Sequence, residues 1–525
     1  MRFVVFIFSS ILAAVGSAAL VVADDAAATK PNVILIVSDD LGWTDLGCYG
    51  SDLYPSPNID GLAREGVRFT TNYSACTVCS PTRAALLTGK YPARLHITDW
   101  IPGLPPSNPK LTVPDFTKYL PHEEITIAER LRDAGYATAS IGKWHLGGPD
   151  YYPERHGFDV NIAGNDQPQP RPGYFAPYAI DTIKQGPEGE YITDRLGDEA
   201  VNFIRANADR PFFLYMPQFA VHTPIQAKKK LIERNQDRVK EGMHHTNAAY
   251  AAMVESMDQT VGQIRQTLDE RGIADRTIII FTSDNGGRIP TTSNAPLRAG
   301  KGSCYEGGVR VPLIVYWPGV TPAGDVIDAP VITMDIYPTI LEMTGVSDGA
   351  SQVDGVSLVP LLRQSGELAE RSLLWHYPHY QHYQQEGTTP YAAIRRGDWR
   401  LIEFYDDHRV ELYDLKDDPG ERTNLATSSP DLVKSLRDEL HAWLRSVNAQ
   451  MPTLNPNYDP TKPEHTPPAK KQTATIQIER HSSMQQPTPT TESLGGFEPM
   501  IGSVESHLVQ PLYVASPLGS SEVVS

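Results

Sequence analysis

The residues with the clearest capacity for chemistry lie in the run C-S-P-T-R-A-A-L-L-T-G-K, Cys79 to Lys90. A cysteine stands one turn ahead of an arginine, at what reads as the start of a helix. Pro81 suits the first helical position, Ala84 to Leu87 are strong helix formers, and Gly89 is placed to end the helix. Cys79 then sits just outside a helix N-terminus, where free N–H groups and the positive end of the macrodipole favour an anion. Arg83 adds a fixed positive charge within one turn. Such surroundings suit a nucleophile acting on an anionic group; the competing reading is a buried thiol packed beside a short helix.

Two further segments end in hard oxygen donors. Val33 to Val37 runs into Ser38-Asp39-Asp40, and Thr277 to Thr282 runs into Ser283-Asp284-Asn285. Continuous apolar runs of this length read as parallel strands covered on both faces, whose ligands gather at their carboxyl ends. The two tips are therefore expected side by side. Asp39, Asp40, Asp284 and Asn285 would give three carboxylates and one amide, a donor set for calcium or magnesium rather than zinc. Taken singly, each segment also reads as a polar turn that ends a strand.

The elements that must position these groups alternate. Ala137 to Ile141, Phe212 to Met216 and Leu313 to Trp317 are further strand candidates. Thr126 and Glu129 form a capping box before Ile127, Ala128 and Leu131, with Gly135 as the stop. Tyr250, Val254, Met257, Val261, Ile264 and Leu268 share one helix face. The pattern predicts an α/β domain with a mainly parallel central sheet flanked by helices, over residues 24–365. From 366 to 450 it changes to a smaller α+β subdomain. Short runs at Ala392–Arg395, Trp399–Tyr405 and Val410–Asp414 predict an antiparallel meander, and a helix carrying Leu432, Leu436, Leu440 and Trp443 follows. Residues 451–525 are rich in proline, threonine and serine without periodicity and are expected to form a disordered tail.

Residues 1–23 read as a signal peptide: Arg2, an apolar run from Phe3, and Val21-Val22-Ala23 as the cleavage site. An uncleaved anchor is the alternative, and no later segment is long and apolar enough to span a membrane. No cysteine stands near that site for lipid attachment. The mature chain is expected in a periplasm or outside the cell. Asn72 is the single N-x-S/T acceptor, which favours a bacterial source. A formal net charge of −17 argues against nucleic acid as a partner, yet allows a small anionic substrate in a locally cationic cleft. With Cys79 reserved for chemistry, Cys48, Cys76 and Cys304 allow at most one disulfide, whose pairing the sequence leaves open.

The Cys79–Lys90 run resembles the signature of the type I sulfatases, members of the alkaline phosphatase superfamily. In that family a C-x-P-x-R cysteine is oxidised to formylglycine by a formylglycine-generating enzyme. Other segments resemble the family in the same order: G-K-W-H-L-G at 142–147, A-V-H-T-P at 220–224, and L-R-A-G-K-G at 297–302. The resemblance covers about residues 30–425. It implies an arylsulfatase-like fold and a sulfuric ester hydrolase with one Ca2+ held by Asp39, Asp40, Asp284, Asn285 and the modified Cys79. It further implies that Arg83 supports the nucleophile and that Lys143 and Lys301 hold sulfate oxygens. His222 would protonate the departing alcohol, and His145 would take a proton as sulfate is released. The implied substrate is a sulfated carbohydrate or an aryl sulfate. Two alternatives remain: a phosphonate or phosphodiester hydrolase of the same superfamily, and a catalytically silent relative that binds sulfated sugars. The aromatic run Trp375 to Tyr383 reads either as a sugar-stacking surface or as core.

Overall fold

The computed structural model describes residues 30–462 apart from 105, 350, 351 and 384. The expected signal segment lies outside the described residues, as does the tail beyond 462. Among the described residues, eight strands form the main sheet: β1 (Asn32–Ser38), β2 (Val67–Phe69), β3 (Ala137–Ile141), β4 (Val160–Ile162), β5 (Phe212–Pro217), β6 (Thr277–Ser283), β7 (Leu313–Tyr316) and β8 (Asp325–Ile327). Their spatial order is β8-β2-β7-β6-β1-β5-β3-β4. All neighbours are parallel except β7, which runs antiparallel to both β2 and β6. The sheet is thus α/β and mainly parallel, as the apolar runs predict.

Alternate residues of β1 face opposite sides, because side chains on a strand repeat every two residues. Ile34 and Ile36 pack with the helices α3 (Ile192–Ala206) and α4 (Ala248–Glu270) through Leu196, Ala200, Met257 and Val261. Val33, Leu35 and Val37 pack on the other side with α1 (Cys79–Thr88), α2 (Ile127–Asp133) and α5 (Ile336–Thr344). The capping box forms as expected: Thr126 Oγ1 accepts from the Glu129 N–H at 3.2 Å, and the Glu129 carboxylate accepts from the Thr126 N–H at 2.8 Å.

A second sheet holds β9 (Ser372–Tyr377), β10 (Tyr391–Arg396), β11 (Trp399–Phe404) and β12 (Val410–Asp414), all antiparallel. Helix α6 (Pro430–Ser446) covers it with Leu436, Leu440 and Leu444. Strand β9 answers part of the aromatic question. Trp375 and Tyr377 are core, and the Trp375 indole donates to the Ser74 carbonyl at 2.9 Å. Helix α1 lies between the two sheets, with Leu86 and Leu87 toward the large sheet and Ala85 toward the small one, and all ten of its residues are buried. The buried Arg400 on β11 ties the second sheet to the segment after Lys301 through Glu306, which also accepts from the Tyr73 hydroxyl at 2.9 Å.

Two expectations are corrected. Helix α1 begins at Cys79, not at Pro81, so Pro81 stands at its third position. A proline is tolerated there because the first four N–H groups of a helix have no internal acceptor. Gly89 ends the helix as expected, at φ 71°. The chain from 451 is also not all tail. Thr453–Leu454 pairs with Leu111–Thr112, the Asn455 side chain donates to the Pro109 carbonyl at 2.7 Å, and the Asn108 amide donates to the carbonyls of Asp459 and Lys462 at 2.8 and 3.0 Å. Backbone pairing overrides the proline-rich composition at this point. No disulfide joins any of the four cysteines.

A chain ending at Met451 should therefore melt lower than one ending at Lys462. Leu454 is exposed and adds no core, so the loss is a few hydrogen bonds, about 1–3 kcal/mol in sum and a few degrees in midpoint. Differential scanning calorimetry of the two truncations decides this; equal midpoints would show that the docked segment contributes nothing.

Candidate active site

Strands β1 and β6 pair in register from Asn32 with Thr277 to Ser38 with Ser283. Their next residues must emerge side by side. The Asp284 N–H donates to the Ser38 carbonyl at 3.1 Å, and the Asp40 N–H donates to Asp284 Oδ1 at 3.2 Å. Asp40 has φ 64°, a left-handed conformation that aspartate tolerates better than most residues, and the chain turns there away from the strand. On the other flank the Asp39 N–H donates to the Ala220 carbonyl at 3.0 Å, and Val221 N–H donates back to Asp39 at 2.7 Å. This pairing brings His222 to the strand tips.

Three cations meet these carboxylates. Arg83, fully buried on α1, donates through Nε and Nη2 to Asp284 Oδ2 at 2.9 and 2.7 Å. Lys143 Nζ donates to Asp39 Oδ2 at 2.7 Å, and Lys301 Nζ to Asp40 Oδ1 at 2.5 Å. Lys143 is aimed by the glycine before it. Gly142 has φ 128°, and a Cβ there would lie 1.9 Å from the Pro217 carbonyl oxygen. The Lys301 loop is fixed to the segment ahead of Cys79, since Gly302 N–H donates to the Thr77 carbonyl and Thr77 Oγ1 to that of Ser303.

The charges shift one another. Burial raises the Asp39 pKa well above the carboxylate range, with Lys143 and Arg83 opposing. For Asp40 burial acts upward, but Lys301 and His222 outweigh it and hold the group ionised. Asp284 is likewise lowered, burial being overcome by Arg83 and Lys143. Burial would lower the Lys301 pKa, yet Asp40 keeps it raised.

The histidines have defined tautomers. His145 Nε2 lies 2.5 Å from the Ile101 carbonyl, which can only accept, so Nε2 carries the hydrogen. Its Nδ1 lone pair then faces Cys79 Sγ at 3.3 Å and Ser80 Oγ at 3.2 Å. Burial and Lys143 hold its pKa well down, so the ring is neutral, with its lone pair on Nδ1. His222 donates from Nδ1 to its neighbour's carbonyl, Thr223 O, at 2.7 Å, and Nε2 stands 3.7 Å from Asp40 Oδ2. Burial lowers its pKa to about 3, Asp40 opposing.

Despite all these bonds, Asp39 Oδ1, Asp40 Oδ2 and Asn285 Oδ1 are buried without a hydrogen-bond partner. Asn285 is turned so that its amide nitrogen donates to Asp40 Oδ1 at 2.9 Å. Unpartnered buried oxygens are costly, and three in one place fit a hard cation. Asp39, Asp40 and His222 each offer a ligand atom, all within 4.8 Å of one another. The expected residues Cys79, Arg83, Asp39, Asp40, Lys143, His145, His222, Asp284, Asn285 and Lys301 thus share one site.

Sequence reasoning missed the groups that hold these. Tyr250 reads as one apolar member of a helix face, but its hydroxyl donates to Asp45 Oδ2 at 2.6 Å and lies 3.2 Å from the Asp40 carbonyl. Asp45 also accepts from Gly42 N–H and Thr292. A tyrosine on an otherwise aliphatic stripe was the available signal. The Ile101 carbonyl, being backbone, left none.

A mainly parallel sheet thus carries, at its strand ends and beside a helix N-terminus, a site where acids and cations meet, an arrangement suited to an anionic ester. A family model described as Sulfatase matches residues 31–346, and one described as N-sulphoglucosamine sulphohydrolase, C-terminal, matches 300–450. A Formosa agariphila protein named Sulfatase is 36% identical over 496 residues, covering 80% of this chain and 90% of that one. Human N-acetylgalactosamine-6-sulfatase is 31% identical, covering 77% and 83%. The crystal structures of Ps i-CgsB, alone and in complex with k-i-k-neocarrahexaose, match at 31% identity and a TM-score of 0.68, over 80% of this chain and 94% of that chain. The chain belongs to the sulfatase family and is a sulfuric ester hydrolase. Among the described residues no helix is long and apolar enough to cross a membrane.

Proposed function

We propose that the chain, exported into a periplasm or beyond the cell, hydrolyses sulfate monoesters of carbohydrates using a formylglycine made from Cys79 and one Ca2+. The observation that carries this reading is the ring of unpartnered oxygens, Asp39 Oδ1, Asp40 Oδ2 and Asn285 Oδ1, beside a cysteine at a helix N-terminus. The carbohydrate half rests on relatives whose names and complexes specify an amino sugar and a neocarrahexaose.

Cys79 Sγ marks the place that the oxygens of a hydrated aldehyde would take. Such a hydrate would supply one hydroxyl to attack sulfur and displace the alcohol, and a second that, on losing its proton, re-forms the aldehyde and expels sulfate from the first oxygen. Asp39, Asp40, Asp284 and Asn285 would hold the calcium, which supplies positive charge to the sulfate oxygens and the nucleophile. Arg83 stays charged against Asp284 and keeps the floor of the site cationic. Lys143 and Lys301, now on carboxylates, are placed to turn toward a sulfate group. His145, neutral with its Nδ1 lone pair toward position 79, accepts the proton released there. His222 is the proton donor to the leaving alcohol. Its neutral ring must first take a second proton at Nε2 from solvent as the substrate binds, which an anionic sulfate beside it favours.

Calcium dependence follows. Exhaustive chelation should abolish wild-type turnover and added calcium restore it, while Asp284→Ala should need far more calcium for the same rate. Full activity of chelated Asp284→Ala would refute the ligand set.

The acid role predicts a split between leaving groups. A sugar alkoxide needs its proton, whereas nitrophenolate departs without one. His222→Ala should therefore slow a sugar sulfate by ~10²–10⁴-fold and 4-nitrophenyl sulfate far less. Equal losses in kcat/KM on both substrates would make His222 a sulfate-binding or structural group.

A further inference from the structure

Next to the reaction centre lies a cavity of about 230 Å3 that the chemistry above does not use. Asp99, Gly103, Phe116, Lys118, His379 and Tyr380 line it. Pro102, which lines it, directly follows Ile101, whose N–H donates to Ser80 Oγ at 3.2 Å and whose carbonyl accepts from His145 Nε2.

Asp99 is only 4% exposed, and the groups that bond it are neutral. The Trp100 N–H at 2.9 Å, the Tyr377 hydroxyl at 2.5 Å and the Gln381 amide at 3.1 Å all donate to Oδ1. Burial raises its pKa to about 7, these donors opposing. Oδ2 lies beside Gly103, where a Cβ would come within 3.3 Å of it. Burying a carboxyl without a cation is expensive, and a site that keeps one gains only if a ligand donates to it. Opposite chemistry is supplied by rings. Phe116 meets the His379 ring edge-on at 5.2 Å, and His379 is itself fixed by Thr98 Oγ1 at 2.9 Å. A rigid aromatic wall with one buried acceptor matches a pyranose, which has an apolar C–H face and donor hydroxyls at its edge. The volume lies below the roughly 300–1,000 Å3 of drug-sized sites, so it admits one ring rather than several. An apolar alcohol would leave the Asp99 acceptor unpaired, and a site built to bond a hydroxyl rejects ligands that lack it.

We propose that this cavity is the subsite for the sugar ring of the substrate, with Asp99 accepting a hydrogen bond from a ring hydroxyl and Phe116 covering the C–H face. This rests on the carbohydrate sulfatase reading and makes Asp99 a specificity residue, not a member of the sulfur chemistry.

The test compares wild type, Asp99→Asn and Phe116→Ala on a panel of monosulfated galactose, N-acetylgalactosamine and N-acetylglucosamine, and on 4-nitrophenyl sulfate. For the best sugar sulfate, assayed above pH 7 where Asp99 is mainly ionised, Asp99→Asn should lower kcat/KM by ~10–100-fold, the loss of one bond to a charged acceptor, and Phe116→Ala should also lower it. The loss on 4-nitrophenyl sulfate should be much smaller for both. In parallel, ligand-observed NMR should detect binding of the best substrate's unsulfated sugar to wild type and weaker binding to both variants. Equal losses on sugar and aryl substrates would mean that Asp99 only holds Ile101 against His145, and an unchanged sugar kcat/KM would remove the subsite outright. A wild type that cleaves 4-nitrophenyl sulfate but no sugar of the panel also overturns the subsite while leaving the sulfatase reading intact. If wild type cleaves nothing, the activity reading fails. The NMR arm, run with the three unsulfated sugars, then decides the subsite alone: binding weakened in both variants supports it, and no binding overturns it. Melting curves identify a misfolded variant, in which case the other variant carries the comparison.

Discussion

Three carboxylates and three cations share one buried space at the end of the sheet, and the arrangement around them follows from their need to pair. Asp39 is matched by Lys143, Asp40 by Lys301 and Asp284 by Arg83. Ions removed from water cost several kcal/mol each unless paired, and removing one member of a buried pair typically costs about 3–5 kcal/mol. The six side chains come from five separate parts of the chain, so the fold must deliver them together. The formal charges balance while three oxygens stay unpartnered, which leaves room for a divalent cation and through it a net positive site. A chain of net charge −17 can in this way receive an anionic substrate, because the local field rather than the total charge governs binding in a cleft.

Delivery is the work of the scaffold. The parallel register of β1 and β6 places two acid-bearing tips side by side. Helix α1, buried on every face between the two sheets, fixes both Cys79 and Arg83 without side-chain freedom. The antiparallel sheet is therefore more than an appendage. Its strand β9 and the residues after it supply Tyr377 and Gln381 as donors to Asp99 and His379 as a partner of Thr98, and Arg400 of β11 anchors Glu306, five residues beyond Lys301.

What the sequence disclosed follows the same division. Long apolar runs ending in acids were readable because parallel strands buried on both faces leave that mark, and the capping box at Thr126 was readable because it is local. The three-residue strands Val67–Phe69, Val160–Ile162 and Asp325–Ile327 are too short to show a period, and they exist through pairing with distant partners. The helix start at Cys79 was misplaced by two residues because Pro81 is equally allowed at the third position. Thr453–Leu454 was hidden by its composition, since only the complementary edge at Leu111–Thr112 orders it. Supporting groups such as the Ile101 carbonyl and the Tyr250 hydroxyl act by position, which no motif records.

The central claim is that turnover depends on an aldehyde at position 79 set within the paired charges. It is tested most directly by preparing the enzyme at several levels of co-expressed formylglycine-generating enzyme. Mass spectrometry of the Cys79 peptide gives the aldehyde fraction, and the turnover of 4-nitrophenyl sulfate is measured for each preparation. The account predicts a rate proportional to the aldehyde fraction, passing through zero where Cys79 is entirely thiol. Appreciable turnover by protein whose Cys79 is unmodified would contradict it.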